Sequence, residues 1–111
     1  MKATIWHNPR CGTSRNALAL LEESGADVTI VEYLSNPPTP DELRRVYARA
    51  GITPRQGLRA KEPAAADLAA ATDDEIIDAM MLNPVLIERP IVETQRGAVL
   101  ARPAERVKEV L

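Results

Sequence analysis

Apolar and polar residues alternate from Lys2 to His7, with Ile5 and Trp6 inside the run, and this period of two predicts a first strand. Asn8-Pro9-Arg10-Cys11-Gly12 interrupts it, with Pro9 and Gly12 marking a turn. Ala17, Leu18, Leu21 and Gly25 then fall at helical spacing, Glu22 and Glu23 lie off that face, and Gly25 is a natural stop. Alternation returns from Asp27 to Tyr33, a second strand ended by Asn36-Pro37-Pro38.

The next stretch reads as helical. Thr39-Pro40-Asp41-Glu42 has the form of a capping box with proline at the first helical position, and its helix is expected to run to about Ala50 and Gly51. Thr53-Pro54 is expected to open another short helical piece, and the alanine-rich Ala64–Ala71 a solvent-facing helix or the approach to one. A second capping box, Thr72-Asp73-Asp74-Glu75, leads a helix through Met81 that Asn83-Pro84 breaks. Ile91–Thr94 is a third strand, Gln95-Arg96-Gly97 a hairpin turn and Ala98–Ala101 a fourth strand, and Pro103 opens a last helix over Ala104–Leu111. The order predicts a single α/β domain over residues 1–111. Its first crossover makes a parallel pair and its last hairpin an antiparallel one, so the four-stranded sheet is mixed, flanked by helices and interrupted by a helical insertion between the second and third strands.

Composition narrows the classes of function. The net charge of −2 argues against general nucleic-acid binding. The longest apolar run, Ala17–Leu21, is five residues, so neither a membrane span nor a signal-peptide core is expected and a cytoplasmic location is the default. One cysteine excludes an intramolecular disulfide. Charge is nevertheless segregated: Leu43–Lys61 holds six basic residues and no acid, whereas Asp67–Glu93 holds seven acids and one base, Arg89. Arginine outnumbers lysine 11 to 3, which fits a need for planar forks that grip an oxyanion as well as it fits a codon bias.

Cys11 is the candidate nucleophile. It follows a strand, sits in a Pro/Gly turn and precedes a helix, whose first N–H groups and partial positive charge favour a thiolate. His7 and Arg10 are near in sequence and are expected to add positive charge, and Thr13 and Ser14 to cap the helix. A Cys-x-x-Cys pair needs a cysteine where Ser14 stands, so any disulfide formed by Cys11 takes a second thiol from elsewhere, such as glutathione. A Cys-x5-Arg phosphatase loop needs arginine where Ala17 stands. With His7 and Cys11 the only soft ligands, no metal site is expected. Arg59, Arg89 before Pro90 and Arg102 before Pro103 stand at element boundaries, where clefts form.

The segment His7-Asn8-Pro9-Arg10-Cys11-Gly12-Thr13-Ser14-Arg15-Asn16 resembles the glutaredoxin-dependent arsenate reductases of the ArsC type. The likeness continues through Tyr33-Leu34, Pro37-Pro38-Thr39, Leu58-Arg59, Asn83-Pro84, Arg89-Pro90-Ile91-Val92 and Arg102-Pro103, and so covers nearly the whole chain. It implies a thioredoxin-like fold in which Cys11 attacks arsenate, His7 assists the thiolate and Arg59, Arg89 and Arg102 surround the oxyanion. Gly12 and Ser14 would shape the loop, and Pro90 would be the cis proline of such folds. The implied cycle uses glutathione as co-substrate and glutaredoxin as partner, with no bound cofactor, and a monomer is expected. Two departures stand out: longer members continue beyond the position of Leu111, and Ala101 stands where some have a cysteine. A related thiol enzyme acting on another substrate is the second reading. An Spx-like regulator, which typically carries a Cys-x-x-Cys switch, is the third, and the basic stretch Arg44–Lys61 would serve it.

Overall fold

The computed structural model describes residues Met1–Leu111. Strands β1 (Lys2–Trp6), β2 (Asp27–Val31), β3 (Ile91–Thr94) and β4 (Gly97–Leu100) form one sheet in the order β2-β1-β3-β4. β1 pairs parallel with β2, and β3 pairs antiparallel with both β1 and β4, so the expected mixed sheet is present. Helix α1 (Gly12–Glu23) makes the β1–β2 crossover. Helices α2 (Pro40–Ala50) and α3 (Asp73–Leu82), with short 3-10 turns at Pro63–Leu68 and Pro84–Leu86, form the insertion between β2 and β3.

The period of two along each strand sends side chains to two cores, one on each face of the sheet. Ala3 and Ile5 of β1, Val92 of β3 and Val99 of β4 meet Ala17 and Leu21 of α1 and Val107 and Val110 of the C-terminal segment. Trp6 and Ile91, displaced by one residue, face the other way and pack with Tyr33, Leu43, Val46, Tyr47, Ile76, Ile77 and Met80. The sheet is therefore covered on both sides, with α1 beneath and α2 and α3 above. No helix is long and apolar enough to cross a membrane.

Both capping boxes form. Thr39 and Thr72 accept from the N–H groups of Glu42 and Glu75, and each glutamate carboxylate reaches back to its threonine. Several expected boundaries shift. β2 ends at Val31 and leaves Tyr33 in the core beyond it. Thr53–Gly57 is a turn, not a helix, closed by the Gly57 N–H on the Thr53 and Pro54 carbonyls. The alanine-rich stretch forms only the 3-10 turn Pro63–Leu68, which buries Ala65. The last segment, Ala104–Val110, is also 3-10 rather than α-helical. It is seven residues long, and burial of Ala104, Val107 and Val110 at three-residue spacing suits the tighter helix.

Candidate active site

β1 ends at Trp6, and the His7 N–H still donates to Val31 O at 2.8 Å, so the chain leaves the sheet extended. It then turns. The N–H of Cys11 donates to Asn8 O at 3.0 Å, that of Arg10 to Asn8 Oδ1 at 3.0 Å, and the Arg15 guanidinium to Pro9 O at 2.9 Å. The turn delivers Cys11 to the N-cap of α1 with extended backbone, φ −93° and ψ 121°. Its side chain is half-buried.

The cis peptide at Arg89-Pro90 precedes β3, as the resemblance implies, and a second cis peptide at Arg102-Pro103 follows β4. The Ala101 N–H donates to Pro90 O at 2.9 Å, which ties the start of β3 to the end of β4 beside the Cys11 turn. Arg102 Nη1 consequently donates to Arg89 O at 2.9 Å and approaches Cys11 Sγ at 3.7 Å. Arg59 arrives from the insertion. A bridge between Leu58 and Ile87, with the Arg59 N–H on Leu86 O at 2.8 Å and the Glu88 N–H on Gly57 O at 2.9 Å, sets that loop against the approach to β3.

Burial pushes the Cys11 thiol up. The Ser14 N–H, the Arg102 and Arg89 guanidiniums and the Thr13 N–H outweigh it and hold the thiol below its ordinary value. Sγ makes no full capping hydrogen bond but accepts from Arg102 Nη1 at 3.7 Å, and the dipole of α1 adds to that contact. The cations responsible are Arg102 and Arg89, remote in sequence, rather than the adjacent Arg10.

His7 holds a positive charge less readily than a free imidazole, which weighs against the expected electrostatic support. Burial pulls its pKa below the ordinary value and Arg15 adds to this, outweighing the Glu32 carboxylate. Its Nδ1 lies 2.6 Å from Ser14 Oγ, and Ser14 Oγ accepts from the Asn8 N–H at 3.1 Å. The hydroxyl proton is then free for Nδ1, which fits a neutral ring protonated on Nε2. Ser14, fully buried, therefore ties His7 to the turn around Cys11 rather than capping α1. Gly12 opens α1 on its exposed side, where an added Cβ would lie 3.7 Å from Arg15 Nη2.

The surroundings are rich in donors. Arg59 Nε and Arg89 Nε are buried without a hydrogen-bond partner, and Arg89 is only 8% exposed. The Tyr33 hydroxyl is also buried and unpartnered, and burial pushes its pKa up to about 12, so it stays a phenol. Unpaired buried donors are costly unless an acceptor is supplied. Two carboxylates escape the sequence reading: Glu88 accepts from Arg59 Nη1 at 2.8 Å, and Glu62 lies 3.4 Å from Arg59 Nε. Their only signals in the sequence are Glu88 beside Arg89-Pro90 and Glu62 three residues beyond Arg59. No group of histidine, cysteine and carboxylate side chains here is arranged to hold a metal ion.

A free thiol at the N-terminus of the first helix of a β-α-β unit, with an arginine donor on its sulfur, defines a thioredoxin-like thiol protein whose donors suit an anion. The chain matches the ArsC family over residues 6–110 and belongs to it. It is 46% identical over 115 residues to an arsenate reductase of Rhizobium meliloti, covering 100% of this chain and 82% of that protein. It is 48% identical over 112 residues to one of Escherichia coli, covering 97% of this chain and 79% of that protein. In structure it is similar to an arsenate reductase from Vibrio cholerae, with a TM-score of 0.93, 40% identity, and coverage of 100% of this chain and 98% of that one.

Proposed function

We propose that the protein reduces arsenate to arsenite, with Cys11 as nucleophile and Arg59, Arg89 and Arg102 as the oxyanion clamp. The observation that carries this reading is the convergence of Arg102 and Arg89 on the Cys11 sulfur. Guanidiniums placed there favour the thiolate and present forked donors to a tetrahedral oxyanion bound beside it. His7 acts as a positioning residue through Ser14, orienting the turn that presents the sulfur.

In the first step the Cys11 thiolate attacks arsenic(V). A sulfur–arsenic bond forms, and one arsenate oxygen leaves as water after taking up protons. A glutathione thiolate then attacks the Cys11 sulfur. The sulfur–arsenic bond breaks with its electron pair left on arsenic, which departs as arsenic(III), while Cys11 and glutathione are joined as a mixed disulfide. Glutaredoxin takes the glutathionyl group and returns Cys11 to the thiol. The chain has no second cysteine for this last step. The dependence on free thiols fits the reducing cytoplasm.

The test is NADPH oxidation coupled through glutathione reductase, glutathione and glutaredoxin, with and without arsenate. Arsenate-dependent turnover that disappears in Cys11→Ser is expected. Turnover independent of arsenate, or its persistence in that variant, would overturn the reading.

A further inference from the structure

Glu88 stands in the middle of the arginine cluster. Its Oε1 accepts from Arg59 Nη1 at 2.8 Å and from the Arg89 backbone N–H at 3.3 Å, and lies 3.9 Å from Arg102 Nε. One carboxylate oxygen thus meets all three residues proposed to clamp the oxyanion, and its side chain is only 17% exposed. The loop does not need this ion pair to hold its place. Backbone hydrogen bonds on both sides of the Leu58–Ile87 bridge already fasten it, and Glu62 supplies Arg59 with a second carboxylate.

The charge balance makes the same point. The guanidiniums of Arg59 and Arg102 face the carboxylates of Glu62 and Glu88, Arg89 adds a third positive charge beside the sulfur, and ionisation of Cys11 brings the cluster to neutrality. An anion entering such a site meets little net attraction unless a carboxylate yields its partner. Arg89 Nε meanwhile remains buried without a hydrogen-bond partner, and Arg59 Nε has only the long 3.4 Å approach of Glu62, so the donors exceed what Glu88 alone satisfies.

We infer that Glu88 is an affinity-determining residue of this site: its carboxylate stands in for one oxygen of a tetrahedral oxyanion and competes with that oxyanion for Arg59. This rests on the oxyanion reading above. Binding then requires the Glu88–Arg59 pair to open, and the cost of opening it holds the affinity down. Glu62 touches Arg59 from the other side and meets neither Arg89 nor Arg102 in this way, so it is the natural comparator.

The test is protection of Cys11 from iodoacetamide by inorganic arsenate and, separately, by inorganic phosphate, in the unmodified protein, E88Q and E62Q. Protection does not require turnover or a reductant. E88Q keeps the side-chain shape and removes the charge, and should tighten protection about fivefold, the scale of one partly screened charge contact. E62Q should change it less. A gain of affinity is not what a damaged fold delivers, and Glu88→Ala, a second variant, should move protection in the same direction. Weaker or unchanged protection in E88Q, or an equal gain in E62Q, would overturn the inference. If neither anion protects any of these proteins while the thiol stays reactive, the oxyanion reading falls and the Glu88 inference with it. Protection in the unmodified protein with no gain in E88Q removes the Glu88 inference alone.

Discussion

At the scale of single residues, the site works by combining partners that are remote in sequence. Cys11 owes its position to a five-residue turn and its acidity to the Ser14 N–H and the Arg102 and Arg89 guanidiniums, which act against the burial that would otherwise raise its pKa. A lowered pKa means that the thiolate persists to lower pH than a free thiol. The rate of alkylation by iodoacetamide should therefore rise with pH and level off with a midpoint below about 8.5, the ordinary thiol value; a midpoint at or above that value contradicts the assignment. Arg89→Lys keeps the charge and loses the fork. The KM for arsenate should rise on the order of tenfold, the scale of one charge-assisted hydrogen bond, and unchanged kinetics would remove Arg89 from the clamp. Ser14→Ala leaves His7 Nδ1 and the Asn8 N–H without their buried partner. It should cost about 1–3 kcal/mol in a denaturant titration. Cys11 and its turn were legible in the sequence because Pro9 and Gly12 punctuate a strand–helix junction. Glu88 was not, because a glutamate beside an arginine reads as ordinary solvated charge until the fold brings Arg59 to it.

At the scale of elements, two junctions carry the site: the turn before α1, and the bridge that lays the Arg59 loop against the approach to β3. Gly57 sits in that loop, where an added Cβ would run into the Tyr47 ring. Tyr47 is locked in the core by α2 and α3 neighbours and cannot yield cheaply. Gly57→Ala should cost about 1–3 kcal/mol by overpacking, read as a lower denaturation midpoint at unchanged slope, and it should weaken arsenate binding by shifting Arg59. Full stability would show that the loop is slack. Strands and capped helices were readable because period-two alternation and the Thr-x-x-Glu boxes each have a local physical cause. Pattern alone does not separate a helix from the turn at Thr53–Gly57, the short 3-10 approach to α3 at Pro63–Leu68, or the 3-10 form of Ala104–Val110. Proline and alanine there are compatible with both forms, and the choice depends on how few residues tertiary packing buries.

At the scale of the whole molecule, a sheet covered on both faces brings the ends of β1, β3 and β4 together, and the insertion above it contributes Arg59. The acidic stretch Asp67–Glu93 and the basic stretch Leu43–Lys61 are adjacent in this fold rather than separate surfaces. Arg44 pairs with Asp74, Arg45 and Arg49 with Glu93, and Arg59 with Glu88. The segregation of charge along the chain therefore records pairing within the fold, and most of the basic stretch is occupied by it.

The measurement that tests the central claim most directly is mass spectrometry of the peptide that carries Cys11, after incubation with arsenate alone, glutathione alone, or both. A glutathionyl adduct on Cys11 that forms only when both are present, together with released arsenite, is the predicted result. An adduct that forms equally without arsenate, or no adduct despite arsenite release, would contradict the chemistry assigned to this thiol.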